Sequence, residues 1–273
     1  MSKIDEQQLI NSFAESGNFY SEVHDTSKIK HNAVDENYCY LPTNIFFKMA
    51  SLFVRFIMLT LGRILLFFVY HPIIKGRENL KNVSGAITVS NHVLILDVLL
   101  NRIALRGHKQ YVTAESFNNR KGFGGLLKAG GILPFGETYS AQKNLNKAIS
   151  HLLKSGCFVH YYSEQTLWKA YEKSRPFKKG AFTVAAKENV PVIPVVICFR
   201  KPKVCLFKRK FVNIFIGKPI YPDENKTRKE NEEHLQIEAQ KFYDDTIIDF
   251  YNYDKEKYTY LGAPQNTLRR KDD

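Results

Sequence analysis

The chain has 273 residues, 44% of them hydrophobic and 25% charged, with 40 Lys and Arg against 27 Asp and Glu for a formal net charge of +13. That length suits one large α/β domain or two small ones, and the apolar fraction excludes a wholly disordered chain. Cys39, Cys157, Cys198 and Cys205 show no Cys-x-x-Cys spacing, so neither a zinc site nor a disulfide scaffold is expected, and with no signal peptide to read a reducing compartment is.

In chain order, residues 1–41 come first as a polar extension. Positions 1–40 hold three basic and seven acidic residues, leaving 37 basic against 20 acidic in the rest. They carry no sustained apolar period, so they read as a weakly ordered, solvated tail with a short helix near 7–15. The basic remainder attracts nucleic acid, anionic lipid or an anionic substrate, and charge alone does not choose among them.

Composition changes at Pro42. Residues 45–70 are mostly apolar and contain no acid, but Lys48, Arg55 and Arg63 interrupt them, leaving no uncharged run of ~18 residues. Seven and eight apart, these cations occupy about one third of a helix circumference. Such a helix can lie in the headgroup region or re-enter the membrane, span it with snorkelling side chains, or pack as a core helix at a desolvation cost. The first arrangement is favoured, making 42–75 a membrane-associating segment on the cytoplasmic face, against an anionic membrane surface.

Strand and helix signals then alternate. Strands are expected at 86–90, 110–114, 132–135, 157–163, 190–199 and 211–217, with helices at 93–105, 121–128, 141–154 and 180–188. The pattern argues for an α/β domain over 76–222 with a mainly parallel central sheet flanked by helices. Residues 223–273 add a long helix at 228–252 and a charged tail.

The chemistry concentrates in Ser90-Asn91-His92-Val93-Leu94-Ile95-Leu96-Asp97. Asp97 is the one ionised residue in an apolar run, and a buried carboxylate needs a partner. His92 is five residues earlier, about 140° away on a continuous helix, so the two meet only if His92 sits before the helix and Asp97 in its first turns. Asp97 would then fix the imidazole tautomer, and His92 would take a proton from a hydroxyl. Glu164, in Tyr162-Ser163-Glu164-Gln165-Thr166, follows a predicted strand, and sites in open α/β sheets form beyond such strand ends. Trp168 reads as core packing, a stacking surface or an interfacial anchor, and His160 as a hydrogen-bonded core histidine.

The run from Ser90 to Asp97 resembles the Asn-His-x4-Asp motif of glycerolipid acyltransferases, the 1-acyl-sn-glycerol-3-phosphate acyltransferases and related lysophospholipid enzymes. The resemblance continues in order through Gly131–Phe135, Tyr162–Thr166 and the Val-Pro-Val-x-Pro-Val segment Val190–Val195. It covers roughly 45–220. It implies acyl transfer from acyl-CoA or acyl-carrier protein, as donor substrate rather than bound cofactor, to a lysolipid hydroxyl, with His92 as base and Asp97 orienting it. No Gly-x-Ser-x-Gly nucleophile is present, which suits direct attack on the thioester. Glu164, Gln165 and Thr166 would contact substrate.

The chain departs from the family pattern where arginines usually hold the acceptor phosphate. Gly136-Glu137 follows the second block, and Leu167-Trp168 follows Thr166; Gln165 replaces a usual glycine and Ser163 a usual proline. Between 169 and 210 stand twelve basic residues and two acids. Arg175 and Lys179, just before the predicted helix at 180, are therefore expected to contact a phosphate at a helix N-terminus. Transfer to another lysolipid or a glycolipid, and a non-catalytic basic membrane-binding module, are the alternatives. No nucleic acid is expected, since no helix-turn-helix or aromatic RNA-binding signature is present.

Overall fold

A computed structural model describes residues 3–200 and 211–254. Lys201, Lys203, Lys208, Arg209 and Lys210 of the basic stretch and the charged tail lie outside the described residues. The elements, in chain order, are α1 (Lys3–Glu15), α2 (Ile45–Tyr70), β1 (Ile73–Lys75), β2 (Ala86–Ser90), α3 (Asp97–Ala104), β3 (Gln110–Ala114), α4 (Gly124–Gly130), β4 (Ile132–Pro134), α5 (Tyr139–Lys154), β5 (Phe158–Tyr162), α6 (Gly180–Glu188), β6 (Val192–Arg200), β7 (Phe211–Ile216) and α7 (Arg228–Tyr251).

The seven strands form one sheet in the order β1-β7-β6-β2-β5-β3-β4. Every pair is parallel except β6 with β7, as expected of a mainly parallel α/β sheet. Central strands are buried on both faces, and side chains alternate between them. Ile87, Val89 and Val159 face Leu145, Ile149, Phe182 and Leu235 of α5, α6 and α7. Ala86, Phe158, Ile193 and Val195 face the opposite layer, which includes Ile10 of α1, Leu66 of α2 and Leu100 of α3.

Helix ends follow local chemistry. Thr138 caps α5 through its hydroxyl, and Thr227 with Glu230 forms a capping box on α7. The helix expected at 93–105 begins only at Asp97. Asn91 explains the delay: its amide donates to the Ile197 carbonyl and accepts from the Ile197 N–H, both at 2.9 Å. This side-chain pairing prolongs the β2–β6 contact by one residue and holds 91–96 as a loop.

The reading of residues 1–41 as a loose, solvated tail is corrected. Ile10, Phe19 and Val23 join the α3 side of the sheet, whereas Val34 and Tyr40 join the α5 side. The segment after α1 therefore crosses the sheet from one face to the other as a strap. It is held far from its own sequence. Asn32 and Asn119 exchange hydrogen bonds, the Trp168 indole N–H donates to the Ser21 carbonyl at 3.0 Å, and His31 lies 2.8 Å from Glu137. Burial of its apolar side chains, rather than helix periodicity, orders it. Trp168, fully buried against Phe13, Phe19 and Tyr171, is core.

The inward face of α2 carries Ser51, Arg55, Gly62 and Leu66. Arg55 donates to the Gln110 carbonyl at 2.7 Å and Ser51 to the Ala129 carbonyl at 2.7 Å. Its outward face exposes Phe46, Met49, Leu52, Phe53, Phe56 and Phe68, among others. The helix is long and apolar enough to cross a membrane by length and composition. It packs along α3 and α4.

Candidate active site

The register of β2 and β5 assembles the site. Ser90 pairs with Tyr162, the last residues of two adjacent parallel strands, so the chain leaves the sheet edge at His92 and at Ser163-Glu164 side by side. This is where ligands bind in open α/β sheets. His92 precedes α3 and Asp97 opens it, the arrangement their five-residue spacing requires.

His92 Nδ1 lies 2.7 Å from Asp97 Oδ2, and the same oxygen accepts from the Val93 and Leu94 N–H groups at 3.3 and 3.4 Å. Asp97 is fully buried, whereas the His92 side chain retains 21% exposure. A buried carboxylate with only donors around Oδ2 fixes the tautomer: Nδ1 carries the proton and Nε2 presents a lone pair. The Tyr162 ring stacks on the imidazole at 4.0 Å between centroids. Burial, followed by the Asp97 charge, pushes the Tyr162 phenol well above its usual range. It therefore stays neutral.

Beneath the pair, His160 lies 2.8 Å from Thr88 Oγ1 and within 3.1 Å of Ser90 Oγ and Asn101 Nδ2. Burial drives its pKa down to about 3, so it is a neutral hydrogen-bonding member of the core.

Glu164 is turned away from solvent. Its Oε2 accepts from the His92 backbone N–H at 3.0 Å and from Arg175 Nη2 at 2.5 Å, while Oε1 accepts from the Tyr243 hydroxyl. Arg175 also donates to the Thr166 hydroxyl and carbonyl and to the Phe19 carbonyl, with its guanidinium 4.4 Å from the Trp168 ring centroid. Glu164 and Arg175 are each 0% exposed. The expected phosphate contact at Arg175 is thus corrected: four protein acceptors and an aromatic face consume this cation in the interior. Glu164 is likewise a positioning residue for the His92 backbone, not a group facing substrate.

A cavity of about 800 Å³ opens in front of His92. Gln165, Thr166 and Lys178 line it, as do Ile95, Glu115 and Phe135, and the strap supplies Glu22, Val23, His24, Thr26 and Ile29. Lys179, the other expected phosphate contact, is the exposed N-cap residue of α6 and is not part of this wall, whereas its neighbour Lys178 is. Gln165 holds φ +68°, the left-handed turn where glycine is usual, so the loop keeps the glycine conformation without the glycine. Sequence reasoning missed Tyr162 as a stacking partner, Tyr243 as a support for Glu164, and the strap. No local pattern marks them, because each acts across the fold.

With this geometry in view, comparison with known proteins is informative. Residues 71–198 match the family model described as Acyltransferase. That segment, just under half of the chain, is similar to this family. Among curated relatives, a chloroplastic 1-acyl-sn-glycerol-3-phosphate acyltransferase of Brassica napus is 29% identical over 160 residues, covering 56% of this chain and 46% of that protein. The 1-acyl-sn-glycerol-3-phosphate acyltransferase of Saccharomyces cerevisiae is 32% identical over 162 residues, covering 56% and 52%. The chain thus spans about half the length of these relatives. The crystal structure of a Thermotoga maritima 1-acyl-sn-glycerophosphate acyltransferase, PlsC, aligns at 18% identity and a TM-score of 0.42 over 72% of this chain and 96% of that one. The segment that matches the family model runs from just after α2 into the last third of β6, so it contains His92, Asp97 and Glu164.

Proposed function

We propose that this protein is an acyltransferase that moves a fatty acyl group from an acyl thioester to the free hydroxyl of 1-acyl-glycerol-3-phosphate, with His92 as general base. The observation that carries the reading is the His92–Asp97 pair at 2.7 Å, set at the edge of the cavity with Nε2 free. Nε2 takes the proton of the acceptor hydroxyl as its oxygen attacks the thioester carbonyl. The C–O bond forms, the C–S bond breaks, and the imidazolium returns its proton to the departing thiolate. Asp97 and the π face of Tyr162 both stabilise the transient imidazolium. General-base assistance of this kind is worth typically ~10²–10⁴ in rate.

The outward apolar face of α2, with Ile95 exposed beside the cavity, supports a membrane-associated enzyme. Because α2 lies along α3 and α4, its outer face would bury in the lipid surface, with the helix in the membrane plane on the cytoplasmic side. A second reading, transfer to another lysolipid or a glycolipid, is favoured by Glu22 and Glu115 in the cavity wall and by Leu167 following Thr166. The test is acyl transfer by purified, lipid-reconstituted protein. Labelled acyl-CoA and acyl-carrier protein are offered against lysophosphatidate, other lysolipids and glycolipids, beside His92→Ala. Transfer to lysophosphatidate that vanishes in the variant supports the first reading, and a different acceptor supports the second. Equal transfer by His92→Ala would overturn both.

A further inference from the structure

We propose that the N-terminus of α6, Lys178 and Ser163 form a phosphate subsite in the cavity beside His92. The inference deepens the acyltransfer reading and rests on it for the identity of the phosphate.

Four observations converge. First, Lys178, Gly180 and Ala181 line the same cavity as His92, so the α6 N-terminus opens on it. Second, that end has no side-chain cap: the N-cap is Lys179, and no side chain bonds to the first-turn N–H groups. The Phe182 and Thr183 N–H groups are satisfied by the Lys179 carbonyl, which leaves those of Gly180 and Ala181 as the orphan donors of the helix. A Cβ at Gly180 would meet nothing within 4 Å, so the approach is open. Third, Ser163 is 5% exposed and lines the cavity, yet its Oγ has no hydrogen-bond partner. A buried hydroxyl without a partner is costly, and an anion bound here would satisfy it. Fourth, Lys178 is positioned by the protein: its N–H donates to the Ser163 carbonyl at 2.8 Å, and its ammonium lies 4.4 Å from the centre of the Tyr20 ring on the strap.

Backbone N–H groups at a positive helix end, one ammonium and one hydroxyl are a donor set suited to phosphate oxygens. Ser163 follows Tyr162, whose ring stacks on His92, so an anion held here belongs to the reacting pair of substrates. Glu22 and Glu115 stand in the same wall and oppose anions there, with Glu115 within electrostatic reach of Lys178 itself. Burial, reinforced by Glu22, raises the Glu115 carboxyl, which weakens that opposition. The subsite replaces the arginines this chain lacks after Phe135 and Thr166, using residues neither block contains apart from Ser163.

The phosphate can belong to the acceptor or to the acyl donor, and equilibrium binding distinguishes them without requiring turnover. The lipid-reconstituted protein is titrated with sn-glycerol 3-phosphate, with glycerol as control, and separately with coenzyme A. Wild type is compared with Lys178→Met, Lys178→Arg and Ser163→Ala, each checked for a native circular dichroism spectrum. Lys178→Met is expected to weaken glycerol 3-phosphate binding about tenfold or more, Ser163→Ala about threefold to tenfold, and Lys178→Arg much less, with coenzyme A unaffected. Loss of coenzyme A binding instead, with glycerol 3-phosphate unchanged, supports the subsite and assigns it to the donor. Unchanged binding of both in folded Lys178→Met and Ser163→Ala overturns the proposal. Absence of acyl transfer by a wild-type protein that binds glycerol 3-phosphate through Lys178 refutes the acyltransfer reading alone.

Discussion

Arg175→Ala distinguishes a buried support from a substrate contact. The guanidinium and its Glu164 partner are both 0% exposed, so removing one leaves the other ionised in the interior. Breaking a buried pair in this way costs about 3–5 kcal/mol. The lost contact with the Trp168 ring adds up to ~2 kcal/mol, and the Phe19 carbonyl loses a donor. Glu164 would also be free to shift, and with it the His92 backbone it holds at 3.0 Å. The variant is therefore expected to lose at least about 3 kcal/mol in urea unfolding and to lower kcat, with the acceptor KM unchanged in the folded fraction. Pairing Arg175→Met with Glu164→Gln removes both charges while keeping an oxygen for the His92 N–H. A double-mutant cycle should then show a favourable coupling of about 1–3 kcal/mol. An unfolding midpoint equal to wild type together with a raised acceptor KM would refute the buried-support reasoning and restore Arg175 as a substrate contact.

Other expectations follow from the same geometry. His92→Ala should lower acyl transfer by ~10²–10⁴ with little loss of stability, and comparable turnover would remove it from the mechanism. His160, driven down to about 3 by burial, binds its proton more readily in the unfolded chain. Stability should therefore be fully present above pH ~6.5 and fall as pH drops from there toward 3, measured by urea titration, with His160→Gln flattening that slope. Gln165→Gly should relieve the left-handed backbone at φ +68° and raise stability by about 1 kcal/mol; a loss of that size would contradict it. Gly131→Ala places a methyl 2.3 Å from Arg55 Nη2 at φ +93° and should loosen α2, read as faster proteolysis within 45–70. Phe53→Glu with Phe56→Glu should cut binding to anionic vesicles without unfolding the protein, since both side chains are more than 60% exposed.

Much of the sheet was legible because its signals are local. Apolar β-branched runs mark β2, β3, β5 and β6, and a polar–apolar period marks α5 and α7. The three-residue edge strand β1 is too short to show an alternation. His92 and Asp97 were legible as a pair because geometry permits only one way for residues five apart to meet. The rest depended on contacts that no window of sequence contains. Arg175 reads as a surface cation in a basic stretch, and only the fold reveals that Glu164, Thr166 and Phe19 enclose it. Choosing between Lys178 and Lys179 required knowing which side of the α6 N-terminus meets the cavity. The strap was misread because its scattered apolar residues divide between two cores on opposite faces of one sheet, which erases any single period.

That strap also bears on how the chain reaches its final state. Its anchors join positions separated by 147 residues for Ser21 with Trp168 and 156 for Phe19 with Arg175, and α1 before it adds 163 for Glu6 with Lys169. Synthesised before β5 and the loop that leads to α6, it cannot dock until they exist. Closing such long loops costs entropy and favours slow, late assembly. During that interval the cavity lacks its wall and Tyr20 is absent from Lys178. Completion of the site would therefore be a late event in biogenesis, and a newly made chain could already lie on a membrane through α2 before it was able to hold a substrate.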